Sequence, residues 1–359
     1  MIEPATLQTA SSATAERADA ADERAGRVTI NDVAAAAGVS VSTVSKVING
    51  RYGVSAKTAE HVSRVVGELG FETSIVASSL RGGRTNVIGV LVAGFEPFTL
   101  GVLQGISAEL TGTGYDLLAY SGRSTPGEQA GWERRSLSRL GGTLIDGAIL
   151  VTPTVETANA GVPIIAIDPH TGRSPLQSIS GDNRDGALQA VRHLIELGHR
   201  RIAHLRGRGD LESALLREEG YRQALLEAGI PVREELIVDG DYLADTATGA
   251  VGALLDLADP PTALFAANDV SAIRAMEVAS ARGLRVPQDL SVVGFDDITA
   301  AATSSPALTT VHQPLEEMGR LAARRLLDEL DGHAQPEPGR HEELATRLVV
   351  RGTTAAPEA

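Results

Sequence analysis

From residue 86 onward the chain alternates short apolar runs with amphipathic helical stretches, and this alternation limits the possible folds more than any other feature. Eight runs have the length of a strand, and they cover residues 87–92, 115–121, 146–151, 163–168, 201–207, 236–241, 262–268 and 290–295. Buried parallel strands are apolar throughout because helices cover both faces of their sheet. The pattern therefore predicts βαβ units and an α/β body. Two doubly wound lobes and a single eight-stranded barrel both satisfy it.

Composition excludes several other classes of protein. The chain has 359 residues, which is too long for one compact unit, and 43% of them are hydrophobic against 22% charged, as in ordinary globular proteins. It has no cysteine, so disulfides, thiolate metal sites and cysteine nucleophiles are ruled out. No uninterrupted apolar stretch reaches the length of a membrane-spanning helix, so no membrane partner is expected.

Charge is distributed unevenly along the chain. The formal net charge is -14, yet residues 27–84 hold seven basic side chains against four acidic ones. A small basic head on an acidic body is expected to confine contacts with nucleic acid to the head. Residues 1–26 are rich in Ala, Ser, Thr, Asp and Glu and lack the basic and apolar regions of a signal peptide. We therefore expect a disordered tail there and a cytoplasmic protein.

The head contains three helix start signals at short spacing. Thr29 is the predicted N-cap of a first helix, which ends at Gly38. Ser40 is the predicted N-cap of a second helix over residues 41–48, and Ser55 is that of a third. Two short helices joined by a turn containing glycine are typical of a helix-turn-helix unit. The alternative is a small helical subdomain whose polar face is only solvated.

In a helix-turn-helix unit the start of the second helix enters the major groove of DNA. Ser42 can bond to a base edge, Val41 can contact a thymine methyl, and Lys46 suits guanine acceptors or a phosphate. The further candidate DNA contacts, mostly to phosphates at helix ends, are Thr29, Asn31, Ser40, Thr43, Asn49, Ser55, Lys57 and Thr58.

Residues 28–91 read VTINDVAAAAGVSVSTVSKVINGRYGVSAKTAEHVSRVVGELGFETSIVASSLRGGRTNVIGVL, and this segment closely resembles the head and hinge of the lactose-repressor (LacI) family. The resemblance implies that residues 75–82 form a hinge helix, which pairs with that of a second subunit in the minor groove. Leu80 occupies the position of the leucine that wedges between base pairs, and Arg81 and Arg84 suit nearby phosphates.

The resemblance also implies a body like the periplasmic sugar-binding proteins, with a ligand held between two lobes at the carboxyl ends of the strands. The residues that match the family's ligand positions are Asp168, Arg217, Tyr242, Asn268 and Asp296. Such groups suit a polyol, because carboxylate, amide and guanidinium bond adjacent hydroxyls and an aromatic face covers a sugar ring. Phe95 and Phe98 are expected to shape the pocket. Alternatively, Asp168 and Asp296 cap strand ends or turns, Tyr242 packs at the rim, and Arg217 forms a structural ion pair.

Four segments are predicted from these signals: a tail (1–26), a helix-turn-helix domain (27–72), a hinge helix and linker (73–85), and a two-lobed effector-binding and dimerisation domain (86–355). No leucine heptad of the kind found in tetrameric relatives follows the body, so a homodimer on a palindromic operator is expected. The effector is expected to be a small sugar or glycoside, and neither a cofactor nor a metal is expected.

Two other functions remain open at this stage, and an enzyme is not one of them. Phosphate loops, nucleophile elbows and metal-spaced histidines are missing from the sequence, so an enzyme is not expected. A solute-binding protein with a vestigial head fits the body, but the missing signal peptide argues against it. A regulator whose ligand is a corepressor or a nucleobase fits both. The prediction is a ligand-responsive repressor associated with the nucleoid.

Overall fold

A computed structural model describes residues 28–48, 50–71, 84–122, 131–154, 161–170 and 175–358. The chain forms two compact units, and the division between them falls within residues 72–83, outside the described residues. The first unit contains the head and the second contains the body. Asn49 and the hinge candidates Leu80 and Arg81 lie outside the described residues.

The head is a three-helix unit made of α1 (Ile30–Ala37), α2 (Val41–Ile48) and α3 (Ala56–Leu69). Its core is small and aliphatic, and its buried members are Val33, Ala34, Ala37, Val44, Val62 and Val65. Gly38 ends α1 in the left-handed region at φ 62°, a conformation that other residues rarely adopt. The first two helices can therefore turn within three residues, as the sequence predicts.

The N-terminal lobe of the body is built on six strands in the order β11-β5-β4-β3-β1-β2, all parallel. The strands are β1 (Val87–Val92), β2 (Asp116–Ser121), β3 (Gly147–Val151), β4 (Ile164–Ile167), β5 (Gln177–Gly181) and β11 (His341–Leu344). Its helices are α4 (Pro97–Leu110), α5 (Trp132–Leu140) and α11 (Leu315–Leu330). Gly105 and Gly319 let α4 and α11 cross closely, since a Cβ on either would meet backbone oxygen within 2.2 Å.

The C-terminal lobe is built on a second sheet in the order β12-β10-β9-β8-β6-β7, parallel except for the edge pair of β10 and β12. The strands are β6 (Ile202–Arg206), β7 (Ile237–Asp239), β8 (Ala263–Ala266), β9 (Ser291–Asp296), β10 (Thr309–His312) and β12 (Arg347–Val349). Its helices are α6 (Asn183–Glu196), α7 (Glu212–Glu227), α8 (Ala244–Leu255), α9 (Asp269–Ala281) and the short α10 (Thr299–Thr303).

Three stretches of chain connect the lobes, between β5 and α6, between β10 and α11, and between β11 and β12. The connections lie against each other: Thr346 donates its hydroxyl to the Asp182 carbonyl at 3.0 Å, and a Cβ on Gly181 would meet the amide oxygen of Gln313 at 2.4 Å. Two separate sheets exclude the single barrel and confirm the predicted two-lobed architecture.

One histidine is buried in the core of the C-terminal lobe. His204, on β6, lies between the rings of Tyr221 and Phe265, with ring centroids 5.0 Å from each. Its Nδ1 lies 3.1 Å from the Phe265 carbonyl oxygen, while its Nε2 is buried and has no hydrogen-bond partner among the described residues. Burial lowers the pKa of His204 from 6.5 to about 4, with the Phe265 carbonyl opposing.

We expect the stability of the body to fall as pH decreases from 6.5 towards 4. Within this interval the unfolded chain binds a proton at His204 and the folded chain does not, so the free energy of unfolding decreases with falling pH. The loss attributable to His204 is about 3 kcal/mol. Urea unfolding of His204→Phe should show a correspondingly shallower pH dependence between these limits. An unchanged dependence would show that His204 does not carry the effect.

Candidate functional site

The second helix of the head turns one polar face to solvent. Ser40 caps it, because the Ser40 hydroxyl accepts the backbone N–H of Thr43 at 3.2 Å and also lies 2.8 Å from the Ser42 hydroxyl. Val44 points into the core, whereas Val41, Ser42 and Lys46 are exposed. The residues predicted to read bases therefore share the face that the head leaves uncovered.

The candidate phosphate contacts lie at the other helix ends. Thr29 donates both its backbone N–H and its hydroxyl to the Asp32 carboxylate, at 2.8 and 2.7 Å, which fixes the start of α1. Ser55 accepts the Thr58 N–H at 3.2 Å and so caps α3. Asn31 and Lys57 are exposed beside these caps.

Two observations in and near the head differ from the sequence reasoning. Arg84 is half exposed, and its guanidinium bonds the Leu330 carbonyl and Asp331 at the end of α11. Tyr52, which the sequence reasoning passed over, is fully exposed in the loop after α2. Its only signal in the sequence is an aromatic side chain in an otherwise polar turn.

The body contains a cleft of about 340 Å³ between its lobes. It lies where the strands of both sheets end, as expected for open parallel sheets. Five predicted ligand residues line it, namely Asp168, Arg217, Tyr242, Asn268 and Asp296. Phe95 does not: the residue is 54% exposed and lies outside the lining, whereas Phe98, in the first turn of α4, lines the cleft.

A buried guanidinium organises the inner part of the cleft. Arg217 donates from Nε to the Asn183 side-chain oxygen at 2.8 Å and from Nη1 to the Ala267 carbonyl, and Nη1 lies 3.5 Å from the Asp296 carboxylate. The Asn183 amide in turn donates to Asp168 at 3.4 Å. These contacts join the carboxylate of one lobe, through Asn183, to the carboxylate of the other.

Aromatic rings cover the faces of this guanidinium. The Phe295 ring lies 3.8 Å from the Arg217 Cζ and the Tyr242 ring 5.6 Å from it, both within the range of cation–π contacts. Burial raises the pKa of Asp296 to about 6, with Arg217 and the Gln313 amide opposing the rise. Asp296 is therefore easier to protonate than an ordinary aspartate.

Backbone strain is concentrated at the same strand ends. Asp168, Asp241, Tyr242 and Asp296 all have positive φ, at 49°, 53°, 63° and 110°. Non-glycine residues seldom adopt such conformations, and they persist where the surrounding structure holds them, often at binding sites. All four of these residues line the cleft.

Tyr242 is held by contacts on three sides. Its hydroxyl lies 3.1 Å from the Ser213 hydroxyl, and its carbonyl accepts the Asn268 amide at 3.2 Å. The ring lies directly on Gly207, where a Cβ would come within 2.2 Å of the ring. Asn268 also caps α9 by accepting the Ser271 N–H at 2.9 Å, so one amide fixes both a helix start and the loop of Tyr242.

The N-terminal lobe supplies a wall that the sequence reasoning missed. Trp132, the only tryptophan in the chain, lines the cleft together with Thr154 and His170. The buried carboxylate of Glu133 accepts the Thr154 N–H and hydroxyl at 2.8 and 2.9 Å and so holds this wall. Among the described residues no cluster has the composition of a metal site, and none of the described helices is long and apolar enough to cross a bilayer.

Comparison with known proteins agrees with both units. Residues 29–74 match the description "Bacterial regulatory proteins, lacI family", and residues 191–354 match a periplasmic binding protein-like domain. The HTH-type transcriptional regulator CelR of Thermobifida fusca is 39% identical over 348 residues, which cover 92% of this chain and 99% of CelR. The chain belongs to the LacI family. It is a ligand-responsive, DNA-binding transcriptional regulator.

Two solved structures of the family are similar along nearly the whole chain. A lac repressor dimer bound to operator and an anti-inducer is 31% identical, with a TM-score of 0.78 over 92% of this chain and all of that one. A CelR–cellobiose complex is 35% identical, with a TM-score of 0.66 over 91% of this chain and all of that one. The regulator therefore shares both the head and the two-lobed body with proteins of known structure.

Substituting Gly207→Ala should displace the Tyr242 ring and destabilise the C-terminal lobe by about 1–3 kcal/mol, as overpacking generally does. Gly209→Ala is the matched control, because a Cβ there meets nothing within 4 Å. The urea unfolding midpoints of the two variants measure how much each substitution destabilises the protein. In a Tyr242→Ala background the cost of Gly207→Ala should disappear, and a cost that persists would place the clash elsewhere.

Proposed function

We propose that this LacI-family member is a homodimeric repressor that binds a palindromic operator and is released by a neutral sugar or glycoside. The observation that supports the proposal is the Arg217 network, which joins polar groups of both lobes in the wall of one cleft. A ligand that bonds these groups favours one arrangement of the lobes, and only such a difference in affinity between states can shift DNA binding.

The relatives support each part of this proposal. The lac repressor structure contains a dimer on its operator, and the CelR structure contains cellobiose. For this chain we propose the corresponding dimer, with two heads related by a two-fold axis reading two half-sites. We also propose that it acts in the cytoplasm and catalyses no reaction, since its relatives are named as regulators.

Selection of genomic fragments by the full-length protein, followed by thermal-shift screening against sugars, tests the proposal. Enrichment of a palindrome, and its release by a sugar that raises the thermal midpoint, are the expected results. A solute-binding protein with a vestigial head would bind the sugar and enrich no sequence. A corepressor would strengthen operator binding instead of weakening it.

Arg217→Ala should abolish release by the effector, and because it also leaves the buried Asp296 unpaired, operator binding is compared below the unfolding midpoint of the variant, where it should persist. Arg217→Lys keeps the charge but loses the planar fork that bonds Asn183 and the Ala267 carbonyl, and it should respond weakly. Arg285→Ala, at an exposed pair with Asp289, is the control. Fluorescence anisotropy of labelled operator measures all three, and normal release of Arg217→Ala would refute this assignment.

Leu80→Ala should weaken specific operator binding by about 1–3 kcal/mol with little change in sugar affinity, since an apolar wedge is lost from the minor groove. Leu226→Ala, which truncates a leucine that is 77% exposed on α7, is the matched control. Gel-shift titration with the selected operator and with a scrambled duplex separates specific from non-specific loss. Equal operator affinity of Leu80→Ala and the parent protein would contradict the hinge role.

A further inference from the structure

Thr85 and Asn86, which precede β1, are bonded to the sheet of the N-terminal lobe. The Asp146 carboxylate accepts the Thr85 N–H at 2.7 Å, the Thr85 hydroxyl at 2.9 Å and the Asn86 N–H at 2.7 Å. The Asn86 carbonyl accepts the Asp116 N–H at 2.8 Å. Asp116 begins β2 and Asp146 directly precedes β3, so these bonds join the chain that enters the body to the starts of two further strands.

Arg84, one residue earlier, is bonded to a different element, the end of α11. Its Nη2 donates to the Leu330 carbonyl at 2.5 Å, and its Nη1 donates to Asp331 at 3.2 Å and to the Tyr115 hydroxyl at 3.4 Å. The last carbonyls of a helix have no partner within the helix, and a cation is favoured beside them by the helix dipole. Arg84 is therefore a side-chain cap of α11.

The other end of α11 lies at a connection between the lobes. Leu315, its first residue, donates its N–H to the Gln313 carbonyl at 2.8 Å, and the Gln313 amide donates to the Asp296 carboxylate at 2.8 Å. Asp296 lines the cleft. The helix is uninterrupted over 16 residues, has a length of about 24 Å, and contains no proline at which it could kink. A displacement of its first turn therefore also moves its last turn.

The two attachments follow different elements of the same lobe. Thr85 is held by the sheet, whereas Arg84 is held by the end of α11. The helix lies directly on the sheet near both attachments, because a Cβ on Gly147 would meet the Leu326 side chain at 3.0 Å. A shift of α11 across the sheet would therefore pull on Arg84 while Thr85 stays in place.

The contact between Arg84 and Asp331 contributes little to folding. The side chains are 52% and 43% exposed, and exposed ion pairs generally stabilise a protein by less than about 1 kcal/mol. Substitution of Arg84 should therefore leave the body folded, since Thr85 and Asn86 keep their own bonds to Asp146. A role of Arg84 in regulation can thus be measured separately from a role in stability.

We propose that Arg84 is a positioning residue of the effector response. It ties the end of α11 to the chain segment that leads to the predicted hinge, so a displacement that begins at Gln313 reaches that segment through the helix. The alternative role for Arg84 is a contact with an operator phosphate, as the resemblance of the hinge implies. This inference rests on the proposed release of operator by a sugar.

Fluorescence anisotropy of labelled operator with the full-length protein measures the release ratio, which is the operator dissociation constant with sugar divided by that without sugar. The probes are cellobiose, lactose, maltose, glucose and galactose. Arg84→Gln should lower the release ratio by about three- to tenfold, as expected for the loss of a charged hydrogen bond and an exposed ion pair. Operator affinity without sugar, and sugar affinity of the free protein by calorimetry, should each change by less than about threefold.

Three further variants separate this contact from other roles. Arg84→Lys keeps the charge that a phosphate contact needs but loses the fork that bonds Leu330 and Asp331 together, so its release ratio should also fall. Asp331→Asn should lower the ratio as well, and no further when combined with Arg84→Gln, since both remove the same pair. Arg192→Gln is the matched control, because the Arg192–Glu227 pair joins α6 to α7 with side chains that are 48% and 41% exposed. It should leave the ratio unchanged.

The outcomes distinguish this inference from the proposed function. A release ratio that is unchanged in Arg84→Gln, or that falls equally in Arg192→Gln, would overturn the role of Arg84 and leave the proposed function standing. Equal weakening of operator binding with and without sugar, together with a salt dependence that is shallower by about one unit of slope, would identify a phosphate contact instead. A parent protein that none of the sugars releases from its operator would overturn both proposals.

Discussion

The body depends on the burial of one guanidinium between its two lobes. A buried charge is tolerated only where its hydrogen bonds and a counter-charge are supplied, and breaking such a pair costs about 3–5 kcal/mol. Arg217 receives these from Asn183, the Ala267 carbonyl and Asp296, which come from separate segments of the chain. The same contacts bring Asn183, Ala267 and Asp296, from three separate segments, to one side chain in the wall of the cleft.

The network lies beside the connections between the lobes, which gives a ligand a mechanical route to the rest of the body. Asp296 accepts the Gln313 amide at 2.8 Å, and Gln313 lies in the connection between β10 and α11. Asn183 begins the helix that follows the first connection. If the proposed function is right, a ligand bound to Asp168 and Asp296 contacts groups next to two of the connections between the lobes. Both aspartates have positive φ and both line the cleft.

Much of this arrangement was predictable from local chemistry. Glycine and serine at short spacing define the helices of the head, and all eight apolar runs contain strands of the body. Four strands were not predicted, and they are β5, β10, β11 and β12. Their residues, such as those of TTVH at 309–312, are polar or short, and they join the sheets through hydrogen bonds rather than through apolar content. Phe95 and Phe98 could not be separated because a turn, not a pattern, decides which of them faces the cleft.

The sequence by itself determined the class of head, the alternation that builds parallel sheets, and the residue types that can bind hydroxyls at strand ends. Those properties follow from spacing, capping and periodicity, which act over a few residues. Only the tertiary structure decided that α11 and β11 return to the first lobe. It also brought Trp132 and Glu96 into the lining of the same cleft as Tyr242 and Asp241. Finally, it placed Asn183 where its side chain links Arg217 to Asp168. These contacts join residues that are far apart in the sequence. Which residues meet depends on how the helices and strands of the two sheets pack, and spacing along the chain does not determine that.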